Sequence, residues 1–242
     1  MVSRALPVCV WAIVAAADGL MTPGLPAMPL PHSGKSNTRQ AAAFQALGRY
    51  WRDTHSRPST EETSIPFRID AELPRLHKRG VLRGMKVITG AGRILYTQLH
   101  FVGDNVIRSA VIARFLSADT MLKTAGEAAE IAPDNYRLSY KGTADYDRRT
   151  AFVFVTQPKR KGAGLFKGEL WIDTETARPL REWGELVKSP SAFLHHVYFV
   201  RDYTSSTMDP AVRRIIIRLQ AAFAGPVELT MWLDKADNSG EE

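Results

Sequence analysis

The side chains that could do chemistry in this sequence do not form a catalytic or metal-binding pattern. His195 and His196 are adjacent, and successive residues of a strand point to opposite faces, so the two rings cannot share a metal within one strand. We therefore predict no metal and no cofactor, with one ring of the pair packed against the protein and the other facing solvent. The remaining histidines also lack the spacing of metal ligands: they are His32, His55, His77 and His100.

Patterns for a nucleophile or an acid pair are equally sparse. The sequence has no G-x-S-x-G elbow, and the turn Ser189–Ser191 has no predicted helix behind it, which a serine nucleophile of that kind requires. Glu61 and Glu62, like Asp145 and Asp147, fall in predicted loops where turn formation accounts for them. Paired glycosidase acids from distant strands stay open. We predict a protein that is not an enzyme, with an unrecognised hydrolase as an alternative.

Four cations mark one predicted turn and the start of the strand after it: Lys159, Arg160, Lys161 and Lys167. Such a turn can contact an anionic membrane surface or an acidic partner protein, and each exposed cation near an anionic membrane adds about 1 kcal/mol. That bias could orient the protein transiently but could not anchor it. The same charges also keep a sheet end from pairing with other chains, and both interpretations stay open.

The bulk composition is that of a globular protein with one domain. The chain has 242 residues, 45% hydrophobic and 24% charged, and a formal net charge of +7 from 32 Lys and Arg against 25 Asp and Glu. A basic balance favours anionic partners. Because the basic residues are scattered along predicted strands and accompany no known binding motif, we predict that nucleic acid is not among those partners.

The elements that position these side chains are mainly β-strands. The stretch Phe152–Trp183 predicts three strands joined by two polar turns. Its first strand, Phe152–Val155, is a continuous apolar run typical of a strand buried on both sides. The second strand alternates between two faces. Phe166, Gly168, Leu170 and Ile172 point one way, and Lys167, Glu169, Trp171 and Asp173 the other.

Helical spacing occurs in two segments, Thr38–Arg52, which Thr38 can cap, and Asn105–Ala129, which is a candidate lid. Three predicted strands before Pro133 and seven after it, linked mostly by short turns, indicate an antiparallel meander. A long meander must close, pair with a second sheet or be covered on its concave face, and the helical segments suit the last solution. The predicted strands span residues 65–73, 80–89, 93–102, 136–143, 152–155, 166–173, 180–183, 195–203, 213–223 and 227–233.

Two runs carry a family resemblance: TQPKRKGAGLFKGELWID from Thr156 and RPLREWGELVKSPSAFLHHVYFVRDY from Arg178. They are similar to the hairpins of bacterial outer-membrane lipoprotein-sorting (LolA-like) proteins, and most of all to the branch with PKRKG-LFKG-WID followed by KSPS or KNPS. The resemblance extends more loosely from Ile65 to Asp234. It implies a mainly β fold with α (α+β), a LolA/LolB-like antiparallel open half-barrel in the periplasm, covered on its concave face by helices. Members of this family hold lipid-modified chains or other hydrophobic ligands in that cavity.

The N-terminus predicts export. Met1–Ala17 has a positive Arg4, an apolar run and small residues before Asp18, as a secretory signal peptide does. The run is shorter than the ~20 residues of a membrane-spanning helix; an uncleaved anchor or a mis-assigned start codon is the alternative. Cys9 lies inside this run. Because it is the one cysteine of the sequence, no intrachain disulfide can form. We predict a flexible proline-rich leader over residues 18–37, one domain over 38–236 and a disordered tail over 237–242.

The expected function is that of a non-enzymatic periplasmic carrier, which binds lipoprotein acyl chains or lipid for outer-membrane lipoprotein sorting. Apolar linings suit acyl chains because each Å² removed from water gains about 25 cal/mol. The alternative is an envelope-sensing interaction or regulatory module on the same fold, without cargo. One sequence does not show which strand face lines the cavity. The candidate ligand-binding residues are Trp51, Leu95, Leu99, Phe101, Trp171, Trp183, Phe199 and Trp232.

Overall fold

Ten strands form one sheet in the computed structural model. The described residues are 33–55, 62–90, 93–124, 130–189, 194–204, 212–222 and 224–233, and from Gly34 onward they belong to one compact unit. The predicted signal peptide over residues 1–17, most of the leader over 18–37 and the tail over 237–242 lie outside the described residues.

The secondary structure follows the predicted order. The first helix, α1, spans Ser33–His55; a short 3₁₀ turn spans Pro74–Leu76; and a π-helical segment, Ile107–Ile112, leads into α2 at Ala113–Thr124. The strands are β1 Thr63–Leu73, β2 Lys78–Ile88, β3 Ile94–Gly103, β4 Tyr136–Tyr146, β5 Arg149–Pro158, β6 Phe166–Asp173, β7 Pro179–Leu186, β8 Leu194–Tyr203, β9 Val212–Ala221 and β10 Gly225–Leu233.

The strand order is β3-β2-β1-β10-β9-β8-β7-β6-β5-β4, and every pairing is antiparallel. The three strands before Pro133 and the seven after it are confirmed. A plain meander would not pair its ends, whereas here Phe67 of β1 pairs with Leu233 of β10. The sheet is therefore open between β3 and β4, and the segment that contains α2 joins these two edges in sequence.

One face of the sheet packs against both helical segments, and we call it the helix-covered face. On the β4–β8 half, α1 places residues at i, i+3, i+4 and i+7 against the strands, which is the spacing of one helix face. These residues are at most 8% exposed: Ala43, Ala46, Leu47 and Tyr50. They pack with Phe152, Phe154 and Leu170 in a first core, which we call the α1 core.

A second core, the α2 core, fills the other half of the helix-covered face. Ile107 and Ile112 of the π-helical segment are buried against Phe67, Ile69 and Leu82 of β1 and β2. Strand β10 adds Val227, Leu229, Met231 and Leu233, which alternate as predicted and share one core. The apolar residues of one sheet face are thus divided between two helical covers.

Two predictions need correction. Helix α1 begins at Ser33 rather than Thr38, since no proline after Pro31 prevents the helix from extending backwards. His195 and His196 are both exposed, so neither ring is buried, although the His196 ring lies stacked 6.5 Å from that of Tyr198. The cause is a bulge between His195 and Tyr198, where His196 takes a positive φ of 49° and bonds Glu185. In the described part of the chain, no helix is long and apolar enough to cross a membrane.

Candidate ligand site

Between the two cores lies a part of the helix-covered face that joins Phe199, a buried member of the α1 core, to half-buried side chains, and we call it the central strip. It comprises Leu186 of β7, Phe199 and Arg201 of β8, and Ile217 and Leu219 of β9. Phe199 pairs with Ile217 across the strands, and Ile217 packs against both cores. Leu186, Ile217 and Leu219 are only half-buried, so the helices leave apolar surface partly open here.

A charged pair interrupts this apolar strip. Glu182 of β7 and Arg201 of β8 are direct cross-strand partners, and Arg201 Nη1 donates to Glu182 Oε2 at 3.2 Å. Tyr203 donates its hydroxyl to the other carboxylate oxygen at 2.7 Å. The Glu182 side chain is 6% exposed but that of Arg201 is 36% exposed, with its guanidinium 4.9 Å from the centre of the Phe199 ring. The acceptor is thus buried with a hydrogen bond on each oxygen, while the donor is still open to solvent.

The charges of this pair influence titratable groups on both helices. Burial, and then the charge of Glu182, raise the pKa of Tyr50 on α1. Burial lowers the pKa of the Arg201 guanidinium, but Glu182, Tyr203 and Asp119 of α2 raise this pKa, and their effect is the larger. Arg201 is therefore paired with a strand carboxylate, and the charge of Asp119 on the second helix also raises its pKa.

Asp119 also anchors α2 to the sheet. Its Oδ2 accepts hydrogen bonds from Lys86 Nζ at 2.8 Å and from the Tyr96 hydroxyl at 2.5 Å. Burial acts to raise the pKa of Asp119, but Lys86 and then Tyr96 hold it below its usual value. Burial and the neighbouring carboxylate raise the pKa of Tyr96. The side chains of Lys86 and Asp119 are 10% and 19% exposed, so this ion pair is largely shielded from water.

The structure divides the eight predicted ligand-binding residues between the two faces. Trp51, Leu99, Phe101 and Phe199 lie on the helix-covered side, and of these only Phe199 belongs to the central strip. Leu95, Trp171, Trp183 and Trp232 lie on the opposite face, as the register with Val87, Val153, Val200 and Arg68 shows. Their role in binding stays a prediction.

The tryptophans of the opposite face have partners of their own. Trp171 and Trp183 both donate their indole N–H to Glu169 Oε2, at 2.9 and 3.0 Å, and Lys141 donates to Oε1 at 2.6 Å. Burial works to raise the pKa of Glu169, but Lys141 and the two indoles lower it overall. This carboxylate fixes the orientation of both rings on the opposite face.

A second buried carboxylate, that of Asp202, lies on the same face of the sheet. It accepts from the Tyr146 hydroxyl at 2.7 Å and from Arg214 Nε at 2.9 Å, and Arg181 approaches it at 3.3 Å. Its side chain is fully buried. The opposite face of β4–β9 is therefore held by charged networks rather than by a helix.

The predicted cationic residues lie at the β5–β6 connection and are all exposed. Arg160 donates to the Asn135 side chain at 3.1 Å. Lys159, Lys161 and Lys167 make no side-chain ion pair with the described residues. The first three cations sit together in the turn, and their contact with an anionic partner stays a prediction.

Residues that the prediction missed carry the most distinctive chemistry of the helix-covered face: Glu182, Arg201 and Asp119. A signal for Arg201 was present, because it shares a strand face with Phe199 and so places a cation in an apolar row. The described residues include no group of three His, Cys, Asp or Glu side chains placed to hold a metal.

Two open depressions mark the described surface. One, of about 560 Å³, lies on the solvent side of α1 around Phe44 and Arg49. The other, of about 540 Å³, lies along β1–β3 and β10 and includes Asp70 and Val102. The central strip lines neither of these two depressions.

Searches with protein-family models and against curated proteins gave no match. Solved structures match loosely. A DUF1329 family protein from Desulfovibrio piger is 9% identical, with a TM-score of 0.41 over 83% of this chain and 95% of that chain. A LolA superfamily protein from Nitrosomonas europaea is 12% identical, with a TM-score of 0.35 over 81% and 95%. A domain assigned to outer-membrane lipoprotein sorting from Vibrio parahaemolyticus is 12% identical, with a TM-score of 0.34 over 84% and 93%. What this chain does is therefore inferred from its own contacts and sequence.

Proposed function

We propose that this chain is a non-enzymatic periplasmic carrier of a hydrophobic ligand, namely the acyl chains of a lipoprotein or a lipid, and that it acts in outer-membrane lipoprotein sorting. The observation that supports this most is the central strip, where Leu186, Ile217 and Leu219 stay half-buried between two helices. An acyl chain laid there would remove both its own surface and these side chains from water, at about 25 cal/mol per Å².

In this proposal α2 moves to admit the ligand. Its contact with the sheet depends on the Asp119 ion pair and on half-buried side chains, so it can lift without exposing the α1 core. Displacement of α2 would widen the strip, and its return would cover the bound chain. The half-barrel shape with helices over a concave face, which the sequence resemblance implies, belongs to this proposal.

The periplasmic location rests on the predicted signal peptide over residues 1–17 and on the resemblance. In that compartment the cationic turn Lys159–Lys161 would orient the carrier transiently toward an anionic membrane surface or an acidic partner protein. Each cation contributes about 1 kcal/mol to such contact, which suits repeated docking and release.

Neighbouring isoleucines on β9 provide the test. Ile216 and Ile217 are both half-buried, but Ile217 belongs to the central strip and Ile216 to the opposite face. We expect Ile217→Gln to weaken binding of a fluorescent acyl probe roughly tenfold, since a buried Ile contributes about 1.5–3 kcal/mol. The matched Ile216→Gln variant should bind as the unaltered protein does. Equal loss in both variants, or no binding by the unaltered protein, contradicts the proposal.

A second function, the envelope-sensing interaction module, is supported by the edge strand β3. Leu95, Leu99 and Val102 are 48%, 51% and 62% exposed there, and the ten residues of β3 include no Lys, Arg, Asp, Glu or Pro. Natural sheet edges usually carry such residues to prevent pairing, so β3 is suited to accept an extended strand of a partner.

One measurement separates the two functions. Native mass spectrometry of the protein purified from the periplasm without detergent should find a bound lipid or acylated peptide if the chain is a carrier. Bare protein that nevertheless binds an envelope protein, and loses it in a Val102→Lys variant, favours the interaction module.

A further inference from the structure

The guanidinium of Arg201 has unused hydrogen-bonding capacity inside an apolar strip. A guanidinium has five N–H donors, and to the described residues Arg201 donates one hydrogen bond, to Glu182. Its side chain is 36% exposed and stacks over Phe199. Donors placed beside an acyl chain would lose water when that chain binds, and they would then need acceptors from the ligand itself.

The charge around Arg201 decides which acceptors fit. Glu182 already pairs with it at 3.2 Å and offsets its charge. A further full negative charge on the ligand would meet repulsion from this carboxylate. A neutral carbonyl oxygen accepts a hydrogen bond without that repulsion.

We propose that Arg201 binds a carbonyl oxygen at the head of the acyl chain, so that the ligand class is an acyl ester or acyl amide rather than a free fatty acid or a phosphate. The inference rests on the proposed carrier function and names the ligand class of the same strip. Glu182 and Tyr203 hold the guanidinium in place, and Leu186, Ile217 and Leu219 contact the hydrocarbon next to it. Arg201 is the residue that distinguishes this ligand class from others of equal chain length.

A pair of probes that differ in one carbonyl group tests this directly. 1-Monopalmitoylglycerol has an ester carbonyl, and 1-hexadecylglycerol, with the same chain length and the same glycerol head, does not. We expect the full chain to bind the ester about tenfold more tightly in competition with a fluorescent acyl probe, the factor of one hydrogen bond from a charged donor. Palmitate should bind no more tightly than the ester.

Variants assign the preference to Arg201. The double variant Arg201→Met with Glu182→Gln avoids leaving a buried carboxylate unpaired, and it should bind the ester and the ether equally. Arg218→Met removes an exposed cation from the opposite face and should keep the tenfold preference. If the double variant does not fold, the ester-to-ether ratio of the unaltered protein still decides.

The outcomes separate this inference from the function on which it rests. Equal binding of ester and ether by the unaltered protein overturns the inference but leaves the carrier standing. Palmitate binding far more tightly than the ester would show an anion site and also overturn it. Failure of all three probes to bind counts against the carrier function itself.

Discussion

The two helical covers of this sheet are held by different forces. Helix α1 buries four apolar contact residues almost completely, and among the described residues no ion pair joins it to the strands. Helix α2 keeps Phe115 and Leu116 half-buried, and its most specific link to the sheet is Asp119 with Lys86 and Tyr96. The first cover is held by apolar area, whereas the second combines the buried Ile107 and Ile112 of the π-helical segment with one directional, charged arrangement at α2.

This difference indicates which helical cover should move more easily. Apolar burial is non-directional and roughly proportional to area, so displacing α1 would expose a whole core at once. An ion pair can be broken locally and formed again, and regions with few buried contacts open at lower free energy. We therefore expect α1 to act as the scaffold, and the proposal that α2 is a lid needs α2 to open more easily than α1.

The largest expected effect comes from truncating the α1 contact. Leu47 is 1% exposed at the centre of the α1 core, so Leu47→Ala should lower the free energy of unfolding by about 3 kcal/mol through lost burial and a residual cavity. The control is Gln45→Ala, at an exposed position of the same helix, which should change stability by less than about 0.5 kcal/mol. Urea denaturation measures both. A loss below about 1 kcal/mol for Leu47→Ala would refute the role of α1 as scaffold.

The next effect comes from breaking the α2 anchor. Asp119→Asn leaves Lys86 largely buried without its counter-ion and should cost about 2 kcal/mol. Much of the lost stability should be regained in the double variant Lys86→Met with Asp119→Asn, so a double-mutant cycle isolates the interaction energy of the pair. The exposed pair Arg68–Asp70, at 47% and 36% exposure, is the matched control. There, Asp70→Asn should cost no more than about 0.5 kcal/mol.

A pH series separates the two helices further. The folded pKa of Asp119 is lowered, so its contribution is fully present above the unfolded value of about 3.9 and is lost as pH falls through the folded pKa. The stability difference between the unaltered protein and Asp119→Asn should therefore be constant near neutral pH and shrink toward zero in acid. The Leu47→Ala difference should not change with pH. If both differences fall together, the α2 contact is not specifically electrostatic.

Much of the fold was predictable because the strands obey simple rules. The alternation of Phe166, Gly168, Leu170 and Ile172 placed these residues on the core face, and the structure confirms it. The β1–β10 pairing was not predictable, because nothing in Phe67 or its neighbours indicates a partner far along the sequence. The histidine prediction failed for a related reason, since a bulge disrupts the alternation on which it relied.

The site was harder to predict because large aromatic side chains are not evidence of a cavity. Trp171 alternates with Leu170, so it lies on the face opposite the α1 core, and its contact with a ligand stays a prediction. On that face its ring shares the carboxylate of Glu169 with Trp183. Arg201 carried the opposite signal, because it is a cation in an apolar row. Its role depends on Glu182 of the neighbouring strand, and no single segment of the sequence shows that these two strands pair.

The smallest effect on stability is expected at the cationic turn Lys159–Lys161. There we also expect an effect on binding to membranes. Lys159 and Lys161 are exposed and form no ion pair with the described residues, whereas the charges of the α2 contact are paired. Changing both to Ser should alter stability by less than about 0.5 kcal/mol. Affinity for vesicles with anionic lipid should fall by about 2 kcal/mol, roughly thirtyfold, and less at high salt.

Two cations at the other end of the strands provide the control for this experiment. Arg93 and Arg148 are equally exposed, and Arg148 precedes β5 whereas Lys159 follows it. Changing both arginines to Ser removes the same net charge, so a general electrostatic attraction would weaken vesicle binding equally in the two double variants. A loss confined to the lysine variant means that the end of the sheet with Lys159 and Lys161 docks on the membrane. Equal losses mean that only the net charge affects membrane binding. In that case the lysines serve to protect the sheet end from pairing.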